Sequence, residues 1–344
     1  MDNSANTRFT LYYFPVSFCS QKVLIALKEK HAEFEKRNVD LFELEQMEPW
    51  YMRINPRGEV PVLKDGEKIV CDSKDIIDYI DNKIHTDIRL VPGTESEYGK
   101  QVAKFRKLLY DCLSEVLTIG TIFHPDLMPE NSRGASALRI EAHEFKERLL
   151  CSMKKLSTLA ENHPDLREAY LTKARINSEK LEMIQNKETV QSNLKELDSI
   201  FDMLEDQLQK METEVCNDSW LCGLEFSAAD ISLAVLLGRV WLLGLESMFF
   251  PHEKWPHVQA YWKRVQQHKN SWDVICSARD FMLKHYESIP SKDSIPSKDS
   301  RPSKDSIPSK DSRPSKDSIP SKDSRPSKDG RCCCLACCSG NNSA

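Results

Sequence analysis

The chain has 344 residues, 40% apolar and 29% charged, the composition of a soluble globular protein with room for two domains. Up to Ser288 it carries 37 Lys and Arg against 46 Asp and Glu, a balance of −9. That acidic body excludes nucleic acid as a partner, because a phosphate-binding surface needs clustered cations. The remaining residues reverse the sign, with 11 basic against 7 acidic.

Met1 to Arg8 is polar and lacks a basic n-region, so the apolar run Leu11 to Phe18, broken by Pro15, reads as a strand and not as a signal peptide. Thr10 to Phe14 is rich in β-formers. Ser17 to Lys30 follows with the amphipathic spacing of a helix through Val23, Leu24 and Leu27. Phe34 to Leu41 reads as a second strand. Val60 to Leu63 and Lys68 to Cys71 flank Asp65-Gly66, a hairpin signal. A helix then runs from Ser73 through Ile76, Ile77, Ile80 and Ile84. The order βαβ, irregular helix, ββα is that of a thioredoxin-like α/β domain, predicted over residues 8–85, with residues 86–97 as linker.

From there the pattern is helical, predicting an all-α domain over residues 98–287. Val102, Phe105, Leu109 and Leu113 keep a helical period, and Ala135 to Ala160 reads as a second long helix closed near Pro164. Leu194, Leu197, Phe201, Leu204, Leu208 and Met211 form a heptad seam, expected to pack inside the helical domain. The apolar run Ile231 to Phe250 is interrupted by Arg239 and Glu246, and Ser227 with Asp230 forms a capping box at its start; a buried core helix is expected, with no membrane span. A helix from Trp255 to Lys269 is expected to finish the body. Trp220 and Trp241 read as packing residues, and His124-Pro125 and His163-Pro164 as helix ends. His143-Glu144 lacks the second histidine of a zinc-protease motif, and no metal site is expected.

At Ile289 the composition breaks. Seven hexads, IPSKDS or RPSKDS and finally RPSKDG, run to Gly330. A proline every six residues forbids a regular helix, so residues 289–330 read as a disordered, solvated spacer. Residues 331–344 hold Cys332, Cys333, Cys334, Cys337 and Cys338 around Leu335 and Ala336. S-acylation of these five suits attachment to a membrane surface, since several acyl chains hold where one does not. A soft-metal thiolate cluster or oxidation-prone surface thiols are the alternatives. The other seven cysteines are scattered, which fits a reducing compartment and a body facing the cytosol.

Three places carry candidate chemistry. Ser17-Phe18-Cys19-Ser20-Gln21-Lys22 lies at a strand-to-helix junction, where unpaired N–H groups and the helix dipole favour an anion. A hydroxyl or thiol there can hydrogen-bond a thiolate; alternatively Ser17 only caps the helix and Cys19 faces inward. Val60-Pro61 puts a proline in a strand-like segment, where a cis peptide would turn the Val60 backbone toward the peptide part of a ligand. Asp72-Ser73 opens a helix, to hold a carboxylate and an amino group or simply to cap it.

FTLYYFPVSFCSQKVLIALKEK, NPRGEVPVL, CDSKDIIDYI and WLCGLEFSAADISLAVLL, in that order, resemble the cytosolic glutathione transferases. EPWYMRINPRGEVPVL, FHPDL, NHPDLREAY and an extended helical region over residues 145–215 resemble one branch, the ganglioside-induced differentiation-associated protein family. The resemblance implies the glutathione-transferase fold, with Ser17 as the thiolate hydrogen-bond donor and Cys19 where a zeta-type pattern also has cysteine. It implies Val60 and Pro61 as the backbone-pairing element, Asp72 and Ser73 as the γ-glutamyl-holding pair, glutathione as ligand and a homodimer. It also implies a role in mitochondrial fission at the outer mitochondrial membrane. That family usually ends in a membrane-spanning segment; here the repeats and cysteines stand in its place. Three functions are therefore expected to compete: a transferase-like regulator, an active glutathione S-transferase acting on electrophiles, and a Cys19-based thiol exchanger.

Overall fold

A computed structural model describes residues 9–111, 116–130, 142–216, 218–249 and 253–287. The repeat tail, its five cysteines and the predicted helix residues 135–141 lie outside them.

Strand β1 (Phe9–Tyr13), helix α1 (Phe18–Glu29) and strand β2 (Phe34–Asn38) form a parallel β-α-β unit, with Phe9 opposite Phe34 and Tyr13 opposite Asn38. After the short helix α2 (Pro49–Met52), strands β3 (Val62–Asp65) and β4 (Lys68–Cys71) make the expected hairpin, closed by Gly66 at φ 60°. β3 pairs antiparallel with β1, giving the order β2-β1-β3-β4. Helix α3 (Ser73–Lys83) packs beside α1. Leu11, Val23, Ile25, Leu27, Leu63 and Ile76 are buried between helices and sheet, the two-layer core of a thioredoxin-like domain.

The connection to the helices is tied down by charge. Lys30 and Asp81 are both buried and 3.1 Å apart. The same carboxylate accepts from Leu90 N at 2.9 Å and Val91 N at 3.0 Å, and Lys30 Nζ also donates to Ile88 O. Leu90 O in turn accepts from Ala228 N at 2.8 Å, at the head of the core helix.

The helical layer contains α4 (Glu97–Asp111), the single-turn α5 (Thr121–Phe123), α6 (Ala142–Asn162), α7 (Arg167–Gln185), α8 (Lys187–Glu214), α9 (Ala228–Leu242), α10 (Glu246–Phe249), α11 (Pro256–Gln267) and α12 (Lys269–Glu287). The capping box at α9 forms as expected: Asp230 accepts from Ser227 N and Oγ, Leu221 N and Tyr261 OH at 2.7–2.9 Å. The core helix is shorter than the apolar run: α9 stops at Leu242, Gly244 turns at φ 69°, and the short α10 carries the run on to buried Phe249. Among the described residues no helix is long and apolar enough to cross a membrane. The heptad seam of α8 packs inside the helical layer, against α11 and the turn at residues 116–120.

Other details depart from the sequence reading. β3 covers Val62–Asp65 and leaves Val60 and Pro61 outside the strand. β2 stops at Asn38 and does not reach Leu41. The last helix is double: α11 ends at Gln267 and α12 restarts at Lys269 and runs to Glu287. α12 is hard to read because its buried residues Val274, Ile275, Ala278 and Met282 are diluted by polar ones; they pack because α12 docks on α1 and α9. Its Phe281 sits 5.3 Å from Phe14, edge to face.

Candidate functional site

The loop before α1 is held from both sides. Ser17 is the N-cap: its Oγ accepts from Ser20 N at 3.3 Å, and its own N–H donates to Phe14 O at 3.0 Å. Ser17 is 2% exposed and Cys19 8% exposed, so both face inward where α1 begins. From the helical layer, buried Arg239 donates to Val16 O at 2.7 Å and to Thr118 Oγ1 at 3.3 Å. The charge that breaks the α9 apolar run is therefore what fixes the carbonyl just before Ser17.

Val60-Pro61 is cis, and Val60 is buried. The carbonyl before it, Glu59 O, accepts from Tyr51 OH at 2.7 Å and Asn55 Nδ2 at 2.8 Å. Burial pushes the Glu59 carboxyl up, but Lys173, Lys180 and Arg57 overcome that and leave it below its ordinary value. Lys173 is itself 2% exposed and lies on α7, 3.6 Å from Glu59.

Asp72 caps α3 through Lys74 N at 2.8 Å and has φ 74°, a left-handed backbone that a non-glycine residue rarely adopts. Its other carboxylate oxygen accepts from Tyr110 OH at 2.8 Å and faces Arg57 at 3.9 Å. Tyr110 belongs to α4, so the helical layer reaches the candidate γ-glutamyl pair directly. Burial raises the Tyr110 phenol, and the hydrogen bond and charge of Asp72 raise it further, with Cys19 adding to the effect. Ser73, 2% exposed, opens α3 beside it.

Tyr110 bonds Asp72 and feels the charges of Cys19 and Arg57, with Ser17 capping the same turn as Cys19 and Val60 following Glu59, the ion-pair partner of Arg57 at 3.6 Å. Sequence reasoning singled out neither Arg57 nor Tyr110. Arg57 stands inside the NPRGEVPVL motif and carried a signal there; Tyr110 carried none beyond its place on a periodic helix. All six cysteines among the described residues are free thiols, and no cluster of three or more metal-ligating side chains occurs among them.

Residues 11–86 match the glutathione S-transferase N-terminal domain and residues 152–269 the glutathione S-transferase C-terminal domain. Human ganglioside-induced differentiation-associated protein 1-like 1 is 32% identical over 264 residues, covering 75% of this chain and 71% of that protein. The chain belongs to the ganglioside-induced differentiation-associated protein family. The tetrachloro-p-hydroquinone reductive dehalogenase of Sphingobium chlorophenolicum is 25% identical to this chain, covering 76% of it and 93% of the dehalogenase. Among solved structures, glutathione transferase F7 from Populus trichocarpa shares the fold at 19% identity and a TM-score of 0.53, covering 78% of this chain and 99% of its own. This chain and that structure share the transferase architecture. The inward-facing Ser17 and the Tyr110–Asp72 bond are properties of this chain.

Proposed function

We propose that this family member binds glutathione where α1, the Val60-Pro61 turn and α3 meet, and works as a transferase-like regulator of mitochondrial network dynamics at a cytosol-facing membrane. The observation that carries the binding half is Asp72, a non-glycine residue held at φ 74° with its carboxylate turned to Arg57 and Tyr110. Strain of this kind, of order 1–3 kcal/mol, persists where a backbone is set for a ligand. The regulatory half rests on family membership, and acylation of Cys332, Cys333, Cys334, Cys337 and Cys338 supplies the membrane attachment. The transferase fold also suggests a homodimer.

Calorimetric titration of glutathione into the full chain tests the binding half, with Ser17→Ala and Ser73→Ala as controls. Binding weakened by both substitutions is expected; silence at millimolar glutathione overturns it. Serine at the five tail cysteines is expected to move the protein from the membrane to the soluble fraction of cells and to abolish its effect on mitochondrial shape. Unchanged fractionation removes the acyl anchor.

Active transfer is the second reading, favoured by Ser17. As a cap its Oγ accepts a hydrogen bond, which leaves its O–H to donate to a thiolate at the start of α1. Turnover lost in Ser17→Ala and kept in Cys19→Ala supports it. The reverse result assigns the chemistry to Cys19 as a thiol exchanger.

A further inference from the structure

The hairpin of α6 and α7 is fastened differently at its two ends. At the base, Phe145 and Ile184 are buried, Phe123 meets Phe145 edge to face at 6.1 Å, and α7 packs on α8 and the turn at residues 116–120. The tip, around the turn at Pro164, rests on the segment that carries α2 and leads to Val60. Charge joins it there. Lys155 lies 2.6 Å from Glu48, Asp165 3.0 Å from Arg53, and Lys173 3.6 Å from Glu59. Tyr170, buried beside Glu48 and Arg53, is packed away while the tip stays seated.

Contacts of these two kinds fail under different conditions. Apolar packing holds in salt, whereas ion pairs between exposed side chains contribute little each and are screened as ionic strength rises. Lys155–Glu48 and Arg53–Asp165 are pairs of that exposed kind. The tip therefore opens before the base, as a local event well below the stability of the whole fold.

Lys173 links that opening to the candidate site. Glu59 stands between Lys173 and Arg57, 3.6 Å from each, and Arg57 faces Asp72 at 3.9 Å. With the tip seated, Lys173 compensates Glu59, and the half-exposed Arg57 is available to a carboxylate. With the tip lifted, Glu59 loses Lys173 and holds Arg57 more firmly. We propose that the α6–α7 tip is a charge-held lid, seated more firmly when a ligand carboxylate engages Arg57. Linkage makes the effect reciprocal, so a seated tip raises affinity by the same factor. The inference rests on the glutathione reading and adds to it a moving part that reports whether the site is filled.

Hydrogen exchange of the full chain, read over residues 165–174, tests the lid without glutathione. Raising KCl from about 0.05 M to about 0.5 M is expected to speed exchange there about fivefold, the combined scale of two screened exposed pairs. Exchange in the buried seam of α8 is expected to stay unchanged. Glu48→Gln with Asp165→Asn is expected to give the fast rate at low salt and remove the salt response. Exchanging the charges, Glu48→Lys with Lys155→Glu, is expected to keep the slow, salt-sensitive rate. A rate indifferent to salt, or a charge exchange that behaves like the neutral pair, overturns the lid. Millimolar glutathione at matched ionic strength is expected to slow exchange at the tip about fivefold, the lower end of typical coupling between sites. Lys173→Met is expected to bind glutathione and lose that slowing; Glu59→Gln takes its place if the methionine variant fails to fold. Glutathione that binds without slowing exchange, or slowing that survives loss of the link, overturns the coupling and leaves the glutathione reading intact. A silent calorimetric titration beside a salt-sensitive tip overturns the glutathione reading and the coupling with it, and leaves the charge-held lid.

Discussion

Arg239→Met tests whether the helical layer holds the loop that presents Ser17. The guanidinium is 1% exposed and donates to Val16 O at 2.7 Å and to Thr118 Oγ1 at 3.3 Å. A hydrogen bond from a charged group contributes about 1.5–3 kcal/mol, so losing two removes roughly 3–6 kcal/mol and strands the buried Val16 carbonyl. No longer burying a charge offsets part of this, and methionine refills the space of the stem. The net loss is about 3 kcal/mol, a large share of the 5–15 kcal/mol that separates typical domains from unfolding. Lysine keeps the charge but spans only one acceptor, so Arg239→Lys is expected to cost about half as much. Urea denaturation followed by tryptophan fluorescence gives the stability change. Hydrogen exchange over residues 14–21 reports the loop, where faster exchange is expected. A cost below about 1 kcal/mol for Arg239→Met, or a full cost with exchange at 14–21 unchanged, would refute the argument that Arg239 positions this loop.

Tyr110→Phe frees one Asp72 oxygen. It is expected to cost about 1 kcal/mol of stability while tightening glutathione several-fold in calorimetry, because the ligand's amino group no longer competes with the phenol; weaker binding refutes that competition. Gly58 sits at φ 57°, and a Cβ there would lie 2.9 Å from Met52 Sδ and 3.1 Å from Gln46 O. Gly58→Ala is therefore expected to lose about 2 kcal/mol, read as a fall in the denaturant midpoint; an unchanged midpoint would show that the turn relaxes freely. The Glu59 carboxyl lies below its ordinary value, so its ionised form favours the fold: that contribution is present above about pH 4.3 and is lost as pH falls through the lower folded value. Lys173→Met removes one of the three cations responsible, and the acid-unfolding midpoint followed by circular dichroism is expected to move to higher pH. An unmoved midpoint would mean that Lys180 and Arg57 suffice.

The elements a local pattern can specify were readable from the residues alone. Ser227 and Asp230 stand three apart before an apolar run, and that spacing is the capping box itself. Asp65-Gly66 between two short β-rich runs carries its own turn geometry, and Val60-Pro61 announced a special peptide because a proline interrupts strand-like residues. The parts that stayed hidden depend on partners distant in the chain. Tyr110 lies on a helix whose period tells which face is buried, not that its hydroxyl reaches Asp72. Arg239 was visible as an interruption of an apolar run, yet only the approach of α9 to the α1 loop shows what it holds. α12 is quiet for the same reason, since its burial comes from the surface it docks on and not from a strong stripe of its own.

Helix α7, in the helical layer, also bears on the site. Lys173, on α7, pairs with Glu59 at 3.6 Å; Glu59 pairs with Arg57 at 3.6 Å; Arg57 faces Asp72 at 3.9 Å; and Asp72 accepts from Tyr110 at 2.8 Å. The charges alternate in sign, so each is held by its neighbours, and the cost of removing one depends on what compensation its neighbours keep. Lys173 anchors the series because it is 2% exposed, whereas the Arg57 side chain is 46% exposed and free to be recruited. A ligand carboxylate that drew Arg57 away would leave Glu59 to Lys173 and Lys180 and Asp72 to Tyr110, both still compensated. A ligand amino group that took Asp72 would instead displace Tyr110, whose phenol is held well above its ordinary value and so stays protonated as a donor. Arg57 is therefore the element of the series that yields at least cost. Substituting it should change ligand affinity more than stability, whereas substituting Lys173 should do the opposite.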